Sequence, residues 1–255
     1  MYQPRIYREE MNRDRFRFFH CSHMESDLLI GVAPGQYRER MEQTTLGEIR
    51  RIRGLIEGYA ARHTEFITSL EPLKVPGLEG SGRGNREIPP EIVTMLRCGE
   101  ESGTGPMSSV AGLFAEKVGT CLKTQYGLIE VLVENGGDLF MENRSEATVT
   151  IHAGDSPLSG KLALSIPAGI WGICTSSGTV GHSLSFGKAD AVTVIAGNAA
   201  LADAWATSLA NRVRQTGDIE KVLDRVQEIT GILGCVVIFR DRVGIRGQFE
   251  LKPLT

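Results

Sequence analysis

What the chain lacks narrows the choices first. No apolar run approaches the roughly 18 residues that a membrane-spanning helix needs, so a helical membrane protein is not expected. Met1 to Arg17 is dense in Arg and Glu and has no apolar stretch of signal-peptide type, so a secretory signal is not expected either. Cysteine is sparse, with five residues (21, 98, 121, 174, 235), an odd number, widely spaced and without a C-x-x-C pair. That argues against a disulfide framework and a structural zinc site, and for a reducing cytoplasm. No G-x-G-x-x-G or Walker pattern occurs, and no long-period repeat. Lysine is missing from residues 1–55, where ten of the arginines fall beside eight acidic residues, a net charge of only +2. Nucleic-acid binding needs a stronger basic patch and is not expected. Arg13, Arg15 and Arg17, alternating with Asp14, Phe16 and Phe18, read as the solvated face of a strand.

What is present is ordinary except in one respect. With 255 residues, 41% hydrophobic, 23% charged and a net charge of −3, the chain suits a globular protein. Thirty residues are glycine, fifteen of them between Gly99 and Gly187, and that excess poses the question of which backbone sites need it.

Periodicity predicts strands at 15–20 and 27–32, then a helix carrying Leu46, Ile49, Ile52, Leu55, Ile56 and Tyr59, with Thr45 and Glu48 as a capping box. Glu71 to Pro90 holds four prolines and four glycines and is expected to be a surface loop. It lies within one domain spanning 1–255, since no second core of adequate size precedes it. A short helix is predicted from Pro89 to Cys98, and a second after Gly105-Pro106, carrying Val110, Leu113, Phe114, Val118, Cys121 and Leu122. Strands follow at 129–134, 138–142, 147–152, 161–167, 170–175 and 190–196, then helices at 199–213 and 218–229, then strands at 234–240 and 243–251. Adjacent strands mixed with helix pairs, without strict β-α-β alternation, indicate an α+β fold with a largely antiparallel sheet.

Four clusters carry residue types suited to chemistry. Glu134-Asn135-Gly136-Gly137-Asp138 joins two strands; its glycines suit a type I′ hairpin, and a turn without side chains also admits close approach of a ligand. Asp203 and Thr207 stand four apart on a helix whose core stripe is Ala202, Trp205, Ala206, Leu209, Ala210 and Val213. A carboxylate and a hydroxyl so placed are hard oxygen ligands for Mg²⁺; equally, Asp203 suits a helix start and Thr207 a bond back to a carbonyl. Thr175 to Ser183 collects hydroxyls and glycines that donate to phosphate, with His182 as a general base of near-neutral pKa, or forms a plain polar turn. His20-Cys21-Ser22-His23 has metal-ligand types but no second cluster, and no metal site is expected there.

In order and spacing, three of these clusters resemble the ApbE-like superfamily, whose best-known members are Mg²⁺-dependent FAD:protein FMN transferases. A sister family of those transferases is closer still, sharing Gly105-Pro106-Met107, Val110-Ala111-Gly112, Val133 to Asp138, Ser176 to Ser183 and Gly187 to Asp190. The resemblance implies a T-fold-related α+β fold with helices packed on an antiparallel sheet. It implies a flavin nucleotide (FAD or FMN) as ligand and an acceptor protein as partner. By the same resemblance Asp203, Thr207 and the Ala115 carbonyl hold Mg²⁺. Asn135, Gly136, Gly137 and Asp138 lie at the flavin, Thr175, Ser177 and Gly178 line the nucleotide site, and His182 helps activate the acceptor hydroxyl. This chain departs from the transferases in three ways, one being that its N-terminal third has no segment matching their adenine-holding region. His182 is followed by Ser183-Leu184-Ser185-Phe186-Gly187 instead of Ile-x-Asp-Pro-x-x-Gly, and Glu116 follows Ala115 where they have Lys. The glycines at these motifs (112, 136, 137, 178, 181, 187) are expected to mark where a ligand approaches.

Overall fold

The structure, a computed structural model, describes residues 6–76, 88–178 and 187–254. A 3-10 turn, Ile6–Glu10, precedes strands β1 (Arg17–His23) and β2 (Ser26–Val32). Helices α1 (Arg40–Ala60), α2 (Glu65–Thr68) and α3 (Pro90–Ser102) follow, then a 3-10 turn, Pro106–Ser109, that runs into α4 (Val110–Tyr126). Next come β3 (Val131–Asn135), β4 (Asp138–Asn143), β5 (Ala147–Ile151), β6 (Leu162–Ile166), β7 (Gly169–Ser176) and β8 (Ala191–Ala196). Helices α5 (Ala199–Ala210) and α6 (Asp218–Val226) lead to β9 (Ile232–Phe239), β10 (Arg242–Gly247) and β11 (Glu250–Pro253).

Three layers result. Eight strands form one sheet in the order β1-β2-β3-β4-β7-β8-β9-β10, with antiparallel neighbours throughout. A second antiparallel sheet, β11-β6-β5, covers part of one face, and the helices cover the other. The two-residue period of a strand assigns each side chain to a face. In β8, Val192, Val194 and Ala196 join the helix-side core while Ala191 and Ile195 join the core under the small sheet. Covered on both faces, β8 is buried at every residue, as its unbroken apolar run demands.

Helix α5 sits deepest. Only Leu201 and Thr207 among its twelve residues are not fully buried, and its sequence, Ala-Ala-Leu-Ala-Asp-Ala-Trp-Ala-Thr-Ser-Leu-Ala, is small nearly all the way round. It is seated by glycines on its neighbours: a Cβ at Gly172 of β7 would stand 2.3 Å from Ala199 Cα, and one at Gly112 of α4 would stand 2.2 Å from the Ala199 carbonyl oxygen.

Several expectations need correction. Helix α1 begins at Arg40, so Thr45 is no cap: it lies on the buried stripe Met41, Thr45, Ile49, Ile52, Ile56, and Glu48 accepts from the Arg51 guanidinium instead (2.8 Å to each oxygen). The apolar stripe, starting at Met41, overrides the local cap signal. Arg13, Arg15 and Arg17 are not one solvated face, because β1 begins only at Arg17. Arg15 pairs with Glu130 (2.6 Å) and donates to the Ser145 and Glu146 carbonyls, while Arg17 lies 4.0 Å from the Tyr37 ring centroid. The strand predicted at 243–251 breaks at Gly247 (φ +119°), where the chain leaves the large sheet and crosses to the small one as β11. The helices predicted at 199–213 and 218–229 end at Ala210 and Val226, and α3 continues to Ser102. Of the loop predicted at 71–90, residues 77–87 lie outside the described residues. Among the described residues no helix is long and apolar enough to cross a membrane.

The seating of α5 predicts opposite signs for two similar substitutions. Gly172→Ala forces a Cβ into Ala199 and is expected to lower stability by about 1–3 kcal/mol. Gly54→Ala, in the exposed face of α1 with no atom within 4 Å of the new Cβ, is expected to raise it by about 0.5–1 kcal/mol. Urea unfolding of both variants measures this; equal effects would refute the close seating of α5.

Candidate functional site

The β3–β4 hairpin turns on Gly136 and Gly137, whose φ values of +72° and +107° are both in the region a primed two-residue turn requires. Asn135 faces Asp138 across it. Asp138 in turn lies opposite Cys174 on β7, and the Thr175 N–H donates to the Gly137 carbonyl (3.3 Å). Further along, Ser177 Oγ and the Gly178 N–H both donate to the Ala189 carbonyl (3.4 and 2.8 Å). Sheet pairing thus brings the Asn-Gly-Gly-Asp turn beside Thr175, at the head of the Thr175–Gly178 stretch.

Asp203 reaches this ground from the helix layer. Its carboxylate Oδ2 accepts the Gly112 N–H (2.9 Å) at the first turn of α4, where helical N–H groups have no partner within their own helix. The exchange is mutual. Glu116 of α4 accepts the Ala199 N–H (2.8 Å) and the Asn198 amide (3.2 Å) at the start of α5. Each helix therefore caps the other's N-terminus with a carboxylate, where the helix dipole favours negative charge. The contacts run Gly112 to Asp203 and Glu116 to Ala199, so the helices lie in opposite directions.

Electrostatically the ground disfavours negative charge. Burial, and then the charge of Asp138, pushes the Asp203 carboxyl well above the usual carboxylate range, against the N–H bonds of Gly112 and Ala111. Cys174 is pushed up by burial and by the same two carboxylates, so it remains a thiol, donating to the Ala199 carbonyl (3.3 Å). Asn135 donates from Nδ2 to the Ala111 carbonyl (3.1 Å), tying the turn to the start of α4.

The sequence-predicted residues are distributed around this point. Asn135, Gly136, Gly137, Asp138, Thr175, Ser177 and Gly178 lie along the joined β3–β4 turn and β7, and Asp203 stands against Asp138. Thr207, half-buried, is one turn further along α5. Ala115, fully buried, is one turn further inside α4 and so on the other side of Asp203 from Thr207. His182, with Gly181, lies outside the described residues. His20 bonds Asp27 (2.6 Å). Among the described residues no three His, Cys, Asp or Glu side chains converge as a metal site.

The glycines need correction. Gly112 faces Ala199, a Cβ at Gly187 would stand 1.9 Å from the Ala210 carbonyl, and one at Gly178 would stand 2.3 Å from the Gly187 carbonyl. Backbone fills those spaces. Gly137 is different, with only the Thr175 carbonyl near its open side, at 3.6 Å. Sequence reasoning missed the roles of Glu116 and of Glu134, whose Oε1 accepts the Gly137 N–H (3.1 Å). For Glu134 a signal existed, a carboxylate directly preceding the turn.

Known structures share the fold. The chain shares its fold with the apo flavinyl transferase ApbE of Pseudomonas stutzeri (TM-score 0.58, 18% identity, covering 91% of this chain and 94% of that one). It shares it equally with the ApbE protein of Thermotoga maritima (TM-score 0.57, 13% identity, 91% and 97% covered). The expected ApbE-like α+β arrangement is therefore the one adopted. A family model described as AbpE bacteria matches residues 8–245, and the chain belongs to that family. Its relatives include the UPF0280 protein of Methanococcus aeolicus, 36% identical over 231 residues and 88% of each chain. That of Methanocaldococcus jannaschii is 34% identical over 232 residues, again 88% of each.

The mutual capping predicts the behaviour of Glu116. Glu116→Ala strands the donors at the start of α5 and is expected to cost about 1–2 kcal/mol in chemical unfolding. Glu116→Gln keeps one acceptor and should cost less; equal losses would show that α5 needs the charge and not the acceptor.

Proposed function

We propose that this protein is a cytoplasmic flavin-nucleotide protein, binding FAD or FMN with Mg²⁺ beside Asp138 and Asp203. We further propose that it cleaves the FAD pyrophosphate or transfers the FMN half to an acceptor protein. The observation that supports this most is Asp203: a buried carboxyl beside a second one, held among the described residues by backbone N–H groups and no cation. A buried carboxyl that its surroundings disfavour as an anion exchanges its proton for a cation that supplies the missing charge, and the donors at hand, carboxylate and hydroxyl oxygen, are those Mg²⁺ prefers. Asp203 and Thr207, four apart on α5, would hold the ion. The resemblance supplies the Ala115 carbonyl as third ligand, but Ala115 extends away from Thr207, so a carbonyl at the start of α4 is better placed.

The open side of the turn at Gly137 suits a flat ring against backbone, and the hydroxyls of Thr175 and Ser177 suit phosphate oxygens. Mg²⁺, when bound, neutralises charge developing on the leaving phosphate. His182 would take the proton of the attacking hydroxyl. A second reading, a flavin carrier without turnover, is favoured by the Ser183-Leu184-Ser185 that follows His182, which lacks the transferases' Asp.

Incubation with FAD and Mg²⁺, assayed for AMP release, tests the proposal. Release that falls at least about a hundredfold in Asp203→Ala and His182→Ala is expected of the enzyme. Saturable flavin binding without release would leave the carrier standing, and no binding of FAD or FMN, with or without Mg²⁺, would refute both.

A further inference from the structure

We infer that Tyr7 and Arg8 are positioning residues for the Asn135–Asp138 turn, acting through Glu134; the inference rests on the flavin reading only for its consequence on ligand affinity. Glu134 is 3% exposed, and its two oxygens have different duties. Oε1 accepts the Gly137 N–H (3.1 Å) and the Tyr7 hydroxyl (2.6 Å), while Oε2 accepts Arg8 Nε (2.6 Å). The carboxylate that holds the turn from below is thus held in orientation by a segment more than a hundred residues earlier in the chain.

The segment is itself anchored on other elements. Arg8 Nη1 donates to Asp27 Oδ1 (2.8 Å) and Nη2 to the Asp27 carbonyl (3.0 Å) at the start of β2, and Asp27 Oδ1 also meets His20 Nε2 (2.6 Å). The Tyr7 ring lies 5.4 Å from that of His152, just past β5 of the small sheet. One planar guanidinium spans two carboxylates on adjacent strands, which the single point charge of a lysine could not do. This accounts for an arginine here. With Arg8 gone, Glu134 keeps a buried charge without its cation and is free to swing away from the Gly137 N–H.

Amide exchange at Gly137, followed by NMR, reads the coupling without any ligand; FMN affinity, followed by flavin fluorescence, reads its consequence. Arg8→Ala is expected to speed Gly137 exchange and weaken FMN binding, each at least about tenfold, which is 1.4 kcal/mol. Tyr7→Phe, which changes no charge, should move both in the same direction by less and serves if Arg8→Ala does not fold. Arg15→Ala is the control: it breaks an equally long-range tie of the N-terminal segment, to Glu130, and should leave both readouts unchanged. Exchange at Gly137 that is unaltered in Arg8→Ala and Tyr7→Phe, or altered as much in Arg15→Ala, overturns the inference. If the parent protein binds no FMN yet Gly137 exchange responds as stated, the coupling stands and the flavin reading alone fails.

Discussion

The site depends on two carboxylates exchanged between two helices. Asp203 leaves α5 to hold the start of α4, and Glu116 leaves α4 to hold the start of α5. A helix start offers N–H groups that nothing in the helix can satisfy, and inside a protein an unsatisfied donor costs roughly 1–3 kcal/mol. Ordinary surface helices solve this with a local side chain or with water. The cap residue of α4, Ser109, makes no such side-chain bond, and the acceptor comes from the helix packed against it. The geometry that makes α5 a core helix and the geometry that puts a carboxylate beside the Asn-Gly-Gly-Asp turn are therefore the same.

Two buried acids near that turn have opposite circumstances. Glu134 has a cation from its own chain, Arg8, at ion-pair distance. Among the described residues Asp203 has N–H dipoles and a second acid, Asp138, beside it, and burial and that neighbour together drive its proton affinity up. A fold able to bring an arginine across 126 residues to one acid brings none of the described cations to the other. That contrast within a single neighbourhood is the physical ground for expecting a cation to come from outside the chain at Asp203 and not at Glu134.

Much of this was legible in the residues. The paired glycines between two apolar runs announced the hairpin, the stripe from Ala202 to Val213 announced α5, and the apolar run within 190–196 announced a strand. Their order and spacing pointed to the ApbE-like arrangement, and the fold bears that out. What escaped was non-local. Thr45-x-x-Glu48 is a good cap signal read by itself, but the stripe that starts at Met41 is longer and wins. Glu116 looked like a departure from a family lysine, because its partner, Ala199, lies 83 residues away. The break at Gly247 separates two strands that read as one, since nothing local records a change of sheet.

The glycine excess shows most clearly how a local reading and a fold-level reading differ. Glycines at ligand-binding motifs suggest room for a ligand, yet removal of a Cβ makes room for whatever is nearest. At Gly112 and Gly172 the nearest atoms belong to Ala199, at the start of α5; at Gly187 they belong to Ala210, at its end. These glycines notch both ends of one helix into the sheet and into α4, and the resulting depth of α5 is what carries Asp203 to the turn. Gly136 and Gly137 are the exception, required by the positive φ of the turn and, at Gly137, left with an open side. The same residue type thus builds the site from behind at three positions and leaves an open side at one, Gly137. Among these motif glycines, Gly137 is the one whose described surroundings leave a face toward a ligand.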